Sequence, residues 1–318
     1  MSVDIRAAGA VVWRRRSRTL EVLIVHRPTW KDWSLPKGKV KGEETLHECC
    51  IREMKEETGH DVVLGVPLGW QHYTVSSGKS KEVRYWAATV ADKGHPALAA
   101  RGKVQPASKK EIDDARWVTV KDAHKMLTHK GDRKMLQRLM DLEEAGVLCA
   151  TPVLVTRHAR ATKRSVYNGP EQTRPLTTTG VVRAKRLVPL LSVYGVDRVV
   201  TSPWKRCLDT VAPYAKATGL ELETREALTE AAHVKKPKKM AAVLSQVLGK
   251  GRATAVCVHR PTLPTVLDVL KGVTPHHLRR QLPGKDPWLK TGEIMVVHVA
   301  KKKDKAVVIA FEKIRPAM

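Results

Sequence analysis

The stretch that decides the fold of the first half of the chain is Gly38–Gly59, GKVKGEETLHECCIREMKEETG. A loop rich in Gly and Lys leads into a helical pattern over residues 44–58, and Gly59 is a typical helix stop. At about 100° per residue, three carboxylates fall within roughly a 100° arc of this helix. They are Glu53, Glu56 and Glu57.

Three carboxylates on one arc repel one another unless a cation lies between them. Clusters of carboxylate oxygens suit Mg²⁺ or Mn²⁺, which also bind the phosphates of a substrate. A solvated acidic helix face with pairs such as Glu48 and Arg52 gives the same short pattern. The three glutamates alone do not distinguish a metal site from a solvated helix face, so the residues around them have to be considered.

The segment resembles the Nudix box, G-x5-E-x7-R-E-U-x-E-E-x-G-U, in which U is a bulky aliphatic residue. Eight of the nine specified positions match, namely Gly38, Glu44, Arg52, Glu53, Met54, Glu56, Glu57 and Gly59. The ninth position holds His60, a departure that affects packing at the helix exit and not metal ligation. The resemblance covers about residues 1–145 and implies a Nudix fold, in which a mixed β-sheet lies between helices.

The resemblance also implies a role for each residue of the motif. The cation ligands would be Glu53, Glu56, Glu57 and the carbonyl of Gly38. Arg52 would orient these carboxylates, and Glu44 would brace the loop. The reaction would be attack of water on a phosphorus atom, with Glu56, Glu57 or a later carboxylate as the base. Glu111, just before a strand-like run, is the later candidate for base or ligand, and a surface acid is the competing interpretation.

The segment WSLPKGK (33–39) is similar to the corresponding segment of MutT-like and diadenosine polyphosphate hydrolases. This similarity implies that Lys37 and Lys39 contact phosphates. Several aromatic side chains are candidates for stacking on a base, or else for core positions: Trp30, Trp33 and Tyr73. Further basic side chains would hold distal phosphates or lie exposed: Lys79, Lys81 and Arg84.

Outside the motif, the first half reads as strands followed by helices. Strand-like runs occupy 5–13, 20–26, 62–72, 82–90 and 115–120, with a basic turn at 14–18. A polar loop is expected at 92–110 and helices over 121–145. The pattern restarts after Gly146, so we expect a Nudix domain at 1–146 and a second domain at 151–318.

The second half alternates short apolar strands with helices, which predicts a mostly parallel α/β sheet. The strands are TPVLVTRHA, DRVVTSP, LELET and TAVCVHRP, and the helices lie near 178–194, 204–218 and 237–249. The runs KKPKK (235–239) and KKKDK (301–305) are expected to be solvated loops. Ligand sites of such sheets form at the carboxyl ends of strands. We therefore expect convergence of His158, Ser202 and His259.

Four short motifs in this half resemble those of the histidine phosphatase (phosphoglycerate-mutase-like) superfamily, especially its small SixA-like members. They are T-R-H-A at 156–159, R-P-L-T-x-x-G at 174–180, S-P-W-x-R-C-x-x-T at 202–210 and V-H-R-P at 258–261. The resemblance covers about residues 152–315. It implies a three-layer α/β fold and a reaction through a phosphohistidine.

Carried over residue by residue, the resemblance makes His158 the nucleophile that attacks phosphorus. The phosphoryl oxygens would be held by Arg157, Arg206 and His259. Glu230 is the candidate proton donor, and Arg174 would line the pocket. Ala159 and Arg260 each replace a glycine of the family pattern. A degenerate domain used for binding or dimerisation is the alternative to an active phosphatase.

The net charge of the 318-residue chain is +26, of which +7 lies in residues 1–150 and +19 in residues 151–318. Such a charge attracts polyanions, although a solvated basic surface produces it equally well. Five scattered cysteines without a C-x-x-C pair are typical of a reducing cytosol. No run of about 20 apolar residues and no signal-peptide layout is present, so we expect a cytoplasmic protein without a membrane partner.

A Nudix domain followed by a histidine phosphatase domain matches a two-domain MutT-like class. That resemblance implies hydrolysis of 8-oxo-dGTP and 8-oxo-GTP, that is, clearing of oxidised nucleotides. Hydrolysis of diadenosine polyphosphates is the alternative reaction. A basic nucleic-acid-binding or scaffold protein is an alternative of another class, but no nucleic-acid-binding motif is present, so nucleic acid is not an expected partner. A homo-oligomer is compatible with the sequence.

Overall fold

The computed structural model of the protein describes residues 3–316. These residues form two compact units. The first consists of the chain up to Lys93 together with Gly102–Leu148. The second consists of Gly94–Arg101 together with the chain from Cys149 onward.

The first unit is built from strands and helices that follow the predicted order. Its strands are β1 (Ile5–Arg16), β2 (Thr19–Arg27), β3 (Asp32–Ser34), β4 (Lys37–Lys39), β5 (Val62–Thr74), β6 (Ser80–Val90) and β7 (Asp114–Thr119). Its helices are α1 (Leu46–Thr58), α2 (Val120–Met126) and α3 (Lys130–Glu144). The helices predicted over 121–145 are two in number, separated by a short non-helical segment at 127–129.

The sheet of the first unit is mixed, as predicted. Strand β1 pairs antiparallel with β2 and β4 and parallel with β6, and β5 forms the far edge beside β6. Alternate residues of β1 face opposite sides of the sheet. On one side Val11 and Trp13 pack with Met135 and Leu139 of α3. Helix α1 packs against β1 and β5 on the other side of the sheet. The sheet of this unit therefore lies between helices.

Helix α1 begins and ends where its local sequence allows. The Thr45 hydroxyl accepts a hydrogen bond from the Glu48 amide, and the Glu48 carboxylate accepts one from the Thr45 amide. This capping box satisfies two amides that the first turn leaves without partners. At the other end Gly59 has φ of 72°, a left-handed conformation that glycine adopts without a Cβ penalty.

The second unit alternates strands and helices. Its strands are β8 (Thr151–Arg157), β9 (Arg198–Thr201), β10 (Leu222–Thr224), β11 (Thr254–Val258), β12 (Ile294–Lys302) and β13 (Lys305–Ile314). Its helices are α4 (Thr178–Val193), α5 (Lys205–Thr218), α6 (Glu230–Lys235), α7 (Pro237–Gly249) and α8 (Leu263–Gly272).

The sheet of this unit has the strand order β10-β9-β11-β8-β12-β13. The first four strands are parallel, and β12 is antiparallel to both of its neighbours. Val153 and Val155 pack with Met240 of α7 and Val266 of α8 on one face. Helix α5 contacts β9 and β11 and also packs on α4. The unit is thus the expected three-layer α/β arrangement.

Three short parts of the chain differ from the sequence-based expectation. The KKPKK run (235–239) is not a loop, because Lys235 ends α6 and Pro237, Lys238 and Lys239 begin α7. The KKKDK run is a hairpin and not a free loop, since Lys303 and Asp304, both at positive φ, form the turn between β12 and β13. The loop at 92–110 contains a 3-10 helix, Pro96–Ala100. That segment belongs to the second unit, where Arg101 donates hydrogen bonds to the hydroxyl and the carbonyl oxygen of Ser192.

None of the helices in the described part of the chain has the length and apolarity that a membrane crossing requires.

Candidate functional sites

The first candidate site is a cleft of about 1410 Å³ in the first unit. Its walls include the carboxylates that the sequence predicted as ligands or bases, namely Glu53, Glu56, Glu57 and Glu111. Gly38, Lys37 and Lys39 also line it, because β4 pairs with β1 at Ala7–Gly9 and carries these residues along the cleft. The residues of the Nudix-like motif are therefore brought together.

Arg52 organises the carboxylates of α1. Its guanidinium donates to Glu53 at 2.6 Å, to Glu56 at 2.9 Å and to both oxygens of Glu44 at 2.5 and 3.0 Å. It also donates to the Lys39 carbonyl at 2.9 Å. One planar cation thus links the helix to the loop before it, which is the bracing role expected for Arg52 and Glu44.

Gly38 leaves space for the carboxylate of Glu53. A Cβ atom at position 38 would lie 2.0 Å from the Glu53 carboxyl carbon and 2.1 to 2.2 Å from its oxygens. These are impossible distances, so any side chain here would displace a carboxylate that is only 5% exposed. Glycine is required by close approach, not by a special backbone angle.

Glu57 is a partly buried acid with a strongly raised pKa. Burial raises the pKa of Glu57 to about 8, against the opposing effects of the Lys37 ammonium and of the Lys37 amide, which donates to the carboxylate at 2.8 Å. The charges of Glu53 and Glu111 add to the rise. A buried carboxylate of this kind is suited to accept a proton or to gain a cation.

The cleft is also lined by basic residues. They are Lys37, Lys39, Lys41, Lys81 and Arg27. Burial, together with the charges of Lys37, Lys39 and Arg27, lowers the pKa of Lys81 to about 8. Cations that repel one another in a cleft are suited to an anionic ligand, which relieves the repulsion.

Some predicted substrate-binding residues lie elsewhere. Lys79 is at the β5–β6 turn and does not line the cleft, and Arg84 stacks over the rings of Trp70 and Trp86. Trp33 packs against His26 and Arg116 outside the cleft. Trp30 and Tyr73 do line it, with 68% and 40% of their surface exposed.

The departure from the motif at His60 is accommodated by packing. Its ring lies 5.9 Å from that of Trp117, centroid to centroid. Burial lowers the pKa of His60, which favours the neutral ring. A neutral imidazole against an indole replaces the aliphatic contact, so no carboxylate of α1 is affected.

The donor set of the cleft fits a hard divalent cation, since it is made of carboxylate oxygens and a glycine carbonyl. Within residues 3–316, no three His, Cys, Asp or Glu side chains already converge on one metal position. The physical reason lies in Arg52 and in Lys41, which engage Glu53 and Glu56 in this conformation. Ligation by both glutamates requires them to exchange these partners for the metal.

The second candidate site lies at the carboxyl edge of the second sheet. Strands β8 and β9 flank β11 in parallel, so the residues that follow them meet at one edge. The rings of His158 and His259 are 5.5 Å apart, and Ser202 Oγ is 2.8 Å from His259 Nε2. The predicted convergence of these three residues is therefore observed.

His158 has the protonation state that a nucleophile needs. Its Nδ1 is 2.7 Å from the Ala159 carbonyl oxygen, which can only accept, so Nδ1 carries the proton and Nε2 the lone pair. Burial, together with the nearby charges of His259, Arg206 and Arg157, lowers the pKa of His158 to about 3.

Two arginines of the second site have donors without a partner. Arg206 is fully buried and donates to Glu230 at 2.6 Å and to the Glu171 carbonyl at 3.0 Å, and the partly buried Arg157 donates to the Leu289 carbonyl at 2.9 Å. The Nε atoms of both are buried and have no hydrogen-bond partner among residues 3–316. Such donors are costly unless a ligand satisfies them, and a phosphoryl group has the required acceptors.

Glu230 is held as a carboxylate. It accepts from Arg206 and, at 2.5 Å, from Arg164, and it lies 3.3 Å from His259 Nδ1. Although burial opposes this, these cations lower the pKa of Glu230 far below its usual range. The role of proton donor predicted for Glu230 would require a substrate phosphate to take over Arg206 first, because the carboxylate form has no proton to donate.

Arg174 and the two altered glycine positions lie beside the site without blocking it. Arg174 donates to both oxygens of Glu171 and to the Thr162 carbonyl, so it braces the loop and is not a free pocket cation. Ala159 is buried in a small apolar cluster with Leu176 and Ala184. Arg260 is paired with Asp286 at the surface.

Several residues of both sites were not anticipated. In the cleft these are Arg27, Asp32, Lys41, Gln71, His129 and Asp132, and in the second site they are Arg164, Glu171 and Cys207. Most lie far in sequence from the motifs. The sequence offered a signal for three of them: Lys41 and Cys207 lie within the motifs, and Arg27 directly follows an apolar strand-like run.

Each unit matches the model of a known protein family. A NUDIX domain model matches residues 4–139, and a model of the histidine phosphatase superfamily (branch 1) matches residues 153–236. An 8-oxo-(d)GTP phosphatase of Mycolicibacterium smegmatis is 33% identical over 273 residues, covering 83% of this chain and 80% of that protein. The asymmetrical bis(5'-nucleosyl)-tetraphosphatase of Mus musculus is 28% identical, covering 46% of this chain and 98% of its own.

Among solved structures, the protein histidine phosphatase SixA complexed with tungstate covers 52% of this chain and 97% of its own, with 20% identity and a TM-score of 0.39. The relative from M. smegmatis extends across both units at an identity that shows common ancestry. This chain therefore belongs to the family of two-domain hydrolases in which a Nudix domain is followed by a histidine phosphatase domain.

Proposed function

We propose that the first unit hydrolyses nucleoside polyphosphates with Mg²⁺ as cofactor, and that its substrates are 8-oxo-dGTP and 8-oxo-GTP. The observation that carries the proposal is that one cleft is lined both by the carboxylates Glu53, Glu56 and Glu57 and by the cations Lys37, Lys39 and Lys81. Carboxylates and lysines in one cleft suit a phosphate chain whose charge is shared between a metal and the protein. The name of the M. smegmatis relative supports the choice of the oxidised guanine nucleotides.

In this proposal the chain's own residues bind the phosphates, position water and remove its proton. Lys37, Lys39 and Lys81 neutralise the phosphate oxygens, and Arg52 keeps the carboxylates in register. Glu57, with its raised pKa, takes the proton from the attacking water, with Glu56 or Glu111 as the alternative base. When bound, Mg²⁺ would be held by Glu53, Glu56, Glu57 and the Gly38 carbonyl, and it would polarise the phosphoryl group and acidify water.

Dinucleoside polyphosphates are a second candidate substrate class. The cleft, at about 1410 Å³, exceeds the roughly 300–1,000 Å³ of most small-molecule sites. The name of the mouse relative supports the same class. The large volume leaves room for a second nucleoside beyond the phosphates.

For the second unit we propose phosphoryl transfer through His158. Nε2 attacks phosphorus, the bond to the leaving oxygen breaks, and water later releases phosphate from the phosphohistidine. Arg157 and Arg206 satisfy the phosphoryl oxygens with the donors that the protein leaves unpaired. We assign this domain to residues 151–318 together with 94–101, and the Nudix domain to the remainder of 1–146.

A single panel of substrates tests the first proposal. The protein is incubated with Mg²⁺ and 8-oxo-dGTP, dGTP or diadenosine tetraphosphate, and products are separated by chromatography. Preferential turnover of 8-oxo-dGTP is expected, and its products identify the cleaved bond. Preference for diadenosine tetraphosphate would select the second class, and turnover of none would refute both.

A further inference from the structure

Gln71 lines the cleft although it lies outside the Nudix-like motif in the sequence. It lies near the end of the edge strand β5, and the side chains of Gln71 and Tyr73, two residues apart, point to the same face of the sheet. Both line the cleft, and Tyr73 is 40% exposed. The strand thus presents an amide and an aromatic ring side by side.

Asp132 fixes which way the amide of Gln71 points. Its carboxylate is 2% exposed and accepts from the Leu35 amide at 3.2 Å, from the Tyr85 hydroxyl at 3.3 Å and from Gln71 Nε2 at 3.4 Å. In all three contacts the carboxylate oxygens are the acceptors, so the nitrogen and not the oxygen of Gln71 faces Asp132. The amide is therefore oriented by a buried acceptor.

Gly131 provides the surface on which this amide rests. A Cβ atom there would lie 2.9 Å from Gln71 Oε1 and 3.0 Å from its carbonyl carbon. The amide of Gln71 thus contacts both Gly131 and Asp132 at the start of α3. One N–H donor and one carbonyl acceptor remain for a ligand, because each amide nitrogen has two hydrogens and each amide oxygen two lone pairs.

The N–H donor and the adjacent carbonyl acceptor of the Gln71 amide can distinguish purine bases by the hydrogen-bonding groups on their edges. Adenine presents the N6 amino group beside the N7 acceptor, a pair that Gln or Asn reads with two hydrogen bonds. Guanine presents two acceptors, O6 and N7. Oxidation at C8 places a hydrogen on N7, so the edge of 8-oxoguanine becomes an acceptor beside a donor. The Gln71 amide complements adenine and 8-oxoguanine, and it sets acceptor against acceptor for unmodified guanine.

We propose that Gln71 is the base-reading residue of this cleft and that Asp132 is its positioning residue, an inference that rests on the function proposed above. Tyr73 on the same face provides a ring on which the base stacks. Adenine and 8-oxoguanine present donor and acceptor in opposite order, so the fixed amide pairs with both substrate classes only if the base is turned over between them.

The test compares the full-length protein with Gln71→Leu, which keeps the size of the side chain but removes its donor and acceptor. The first measurement is the ratio of kcat/KM for 8-oxo-dGTP over dGTP. The second is the ratio of the dissociation constants of 8-oxo-dGMP and dGMP by calorimetry, which needs no turnover. A bidentate pair is worth about 10- to 100-fold, and both ratios should fall by that factor. Gln137→Leu on the exposed side of α3, paired with Asp141, is the matched control and should leave both ratios unchanged.

The outcomes separate this inference from the proposed function. Wild-type protein without turnover of any nucleotide refutes the proposed function, and calorimetry still tests Gln71. Equal affinity of the wild type for the two monophosphates, or an unchanged ratio in Gln71→Leu, overturns the inference even where turnover is normal. Should Gln71→Leu fail to fold, Gln71→Met, which is unbranched like glutamine, takes its place in both measurements.

Discussion

The Nδ1–H of His158 donates a hydrogen bond of 2.7 Å to the carbonyl oxygen of Ala159, the residue that stands where the histidine phosphatase pattern has glycine. The contact uses backbone atoms of Ala159, and its methyl group points into the apolar cluster with Leu176. The substitution therefore preserves the tautomer of His158.

This geometry predicts a phosphohistidine at position 158. Incubation with a labelled phosphoryl donor, followed by analysis at alkaline pH where phosphohistidine survives, should label the wild type. His158→Asn should lose labelling and phosphatase activity by about 10³-fold or more, because no other group replaces Nε2. His277→Gln, at an exposed position, should behave as the wild type. Undiminished labelling of His158→Asn would assign the nucleophile elsewhere.

The pH dependence of this labelling should be set by His259. Burial opposes the charged form, but contacts with Cys207 and Glu230 raise the pKa of His259 overall. Protonated His259 stabilises the phosphoryl group, so the rate of labelling should fall as pH rises through that raised pKa, above about 6.5. His158 stays neutral down to about pH 3 and contributes no loss between these values. In His259→Gln the alkaline fall should disappear, and a fall that persists would exclude His259 as its source.

In the Nudix unit, Glu57→Gln should slow hydrolysis of the preferred nucleotide by about 10²- to 10⁴-fold, the usual contribution of a general base. The amide keeps the shape but cannot take the proton. Glu144→Gln, on the exposed end of α3, is the control. Removal of divalent cations by a chelator should stop the wild-type reaction, and restored Mg²⁺ should recover it. Full activity in the chelator would contradict the proposed cofactor.

Gly38→Ala should damage activity more than stability. The added methyl would overlap the Glu53 carboxylate and displace it, and a shift of about 1 Å at a reacting group costs about 100-fold in rate. Gly102→Ala, where a Cβ meets open space, should leave the rate unchanged. Steady-state kinetics and thermal melting on the same samples separate the two effects. Equal rates for the two variants would show that Glu53 tolerates displacement.

Arg52→Lys should show that the planar fork of Arg52 matters beyond its charge. A lysine cannot bridge Glu44, Glu53 and Glu56 together, so the free energy of unfolding of this unit should fall by about 1–3 kcal/mol. Urea denaturation measures the change, with Arg16→Lys on an exposed position as the reference. An unchanged midpoint would mean that the four-residue network contributes nothing to stability.

The parts of the molecule that local sequence determines were predictable. Helix α1, its glycine stop and the strand-end positions of His158, Ser202 and His259 follow from short-range patterns. Helix α8 and the strands β12 and β13 were not anticipated, because long apolar runs read equally as helix or strand without a partner in view.

The finer parts of both sites depend on contacts between distant residues. Gln71 and Asp132 are 61 positions apart, and neither has a motif around it. Arg164 reaches Glu230 across 66 positions. Such pairs are created by the fold, so a sequence pattern can supply the catalytic frame but not the groups that orient it.

The segment Gly94–Arg101 has a consequence for how this gene can be cut and recombined. The chain passes into the second unit at residue 94, returns at 102 and leaves again at 149, so it passes between the units three times. A single crossover near residue 149 between two relatives would combine the phosphatase domain of one parent with the 94–101 segment of the other. Exchange of whole domains between relatives therefore requires three breakpoints, near residues 94, 102 and 149, which favours inheritance of both hydrolases as one piece.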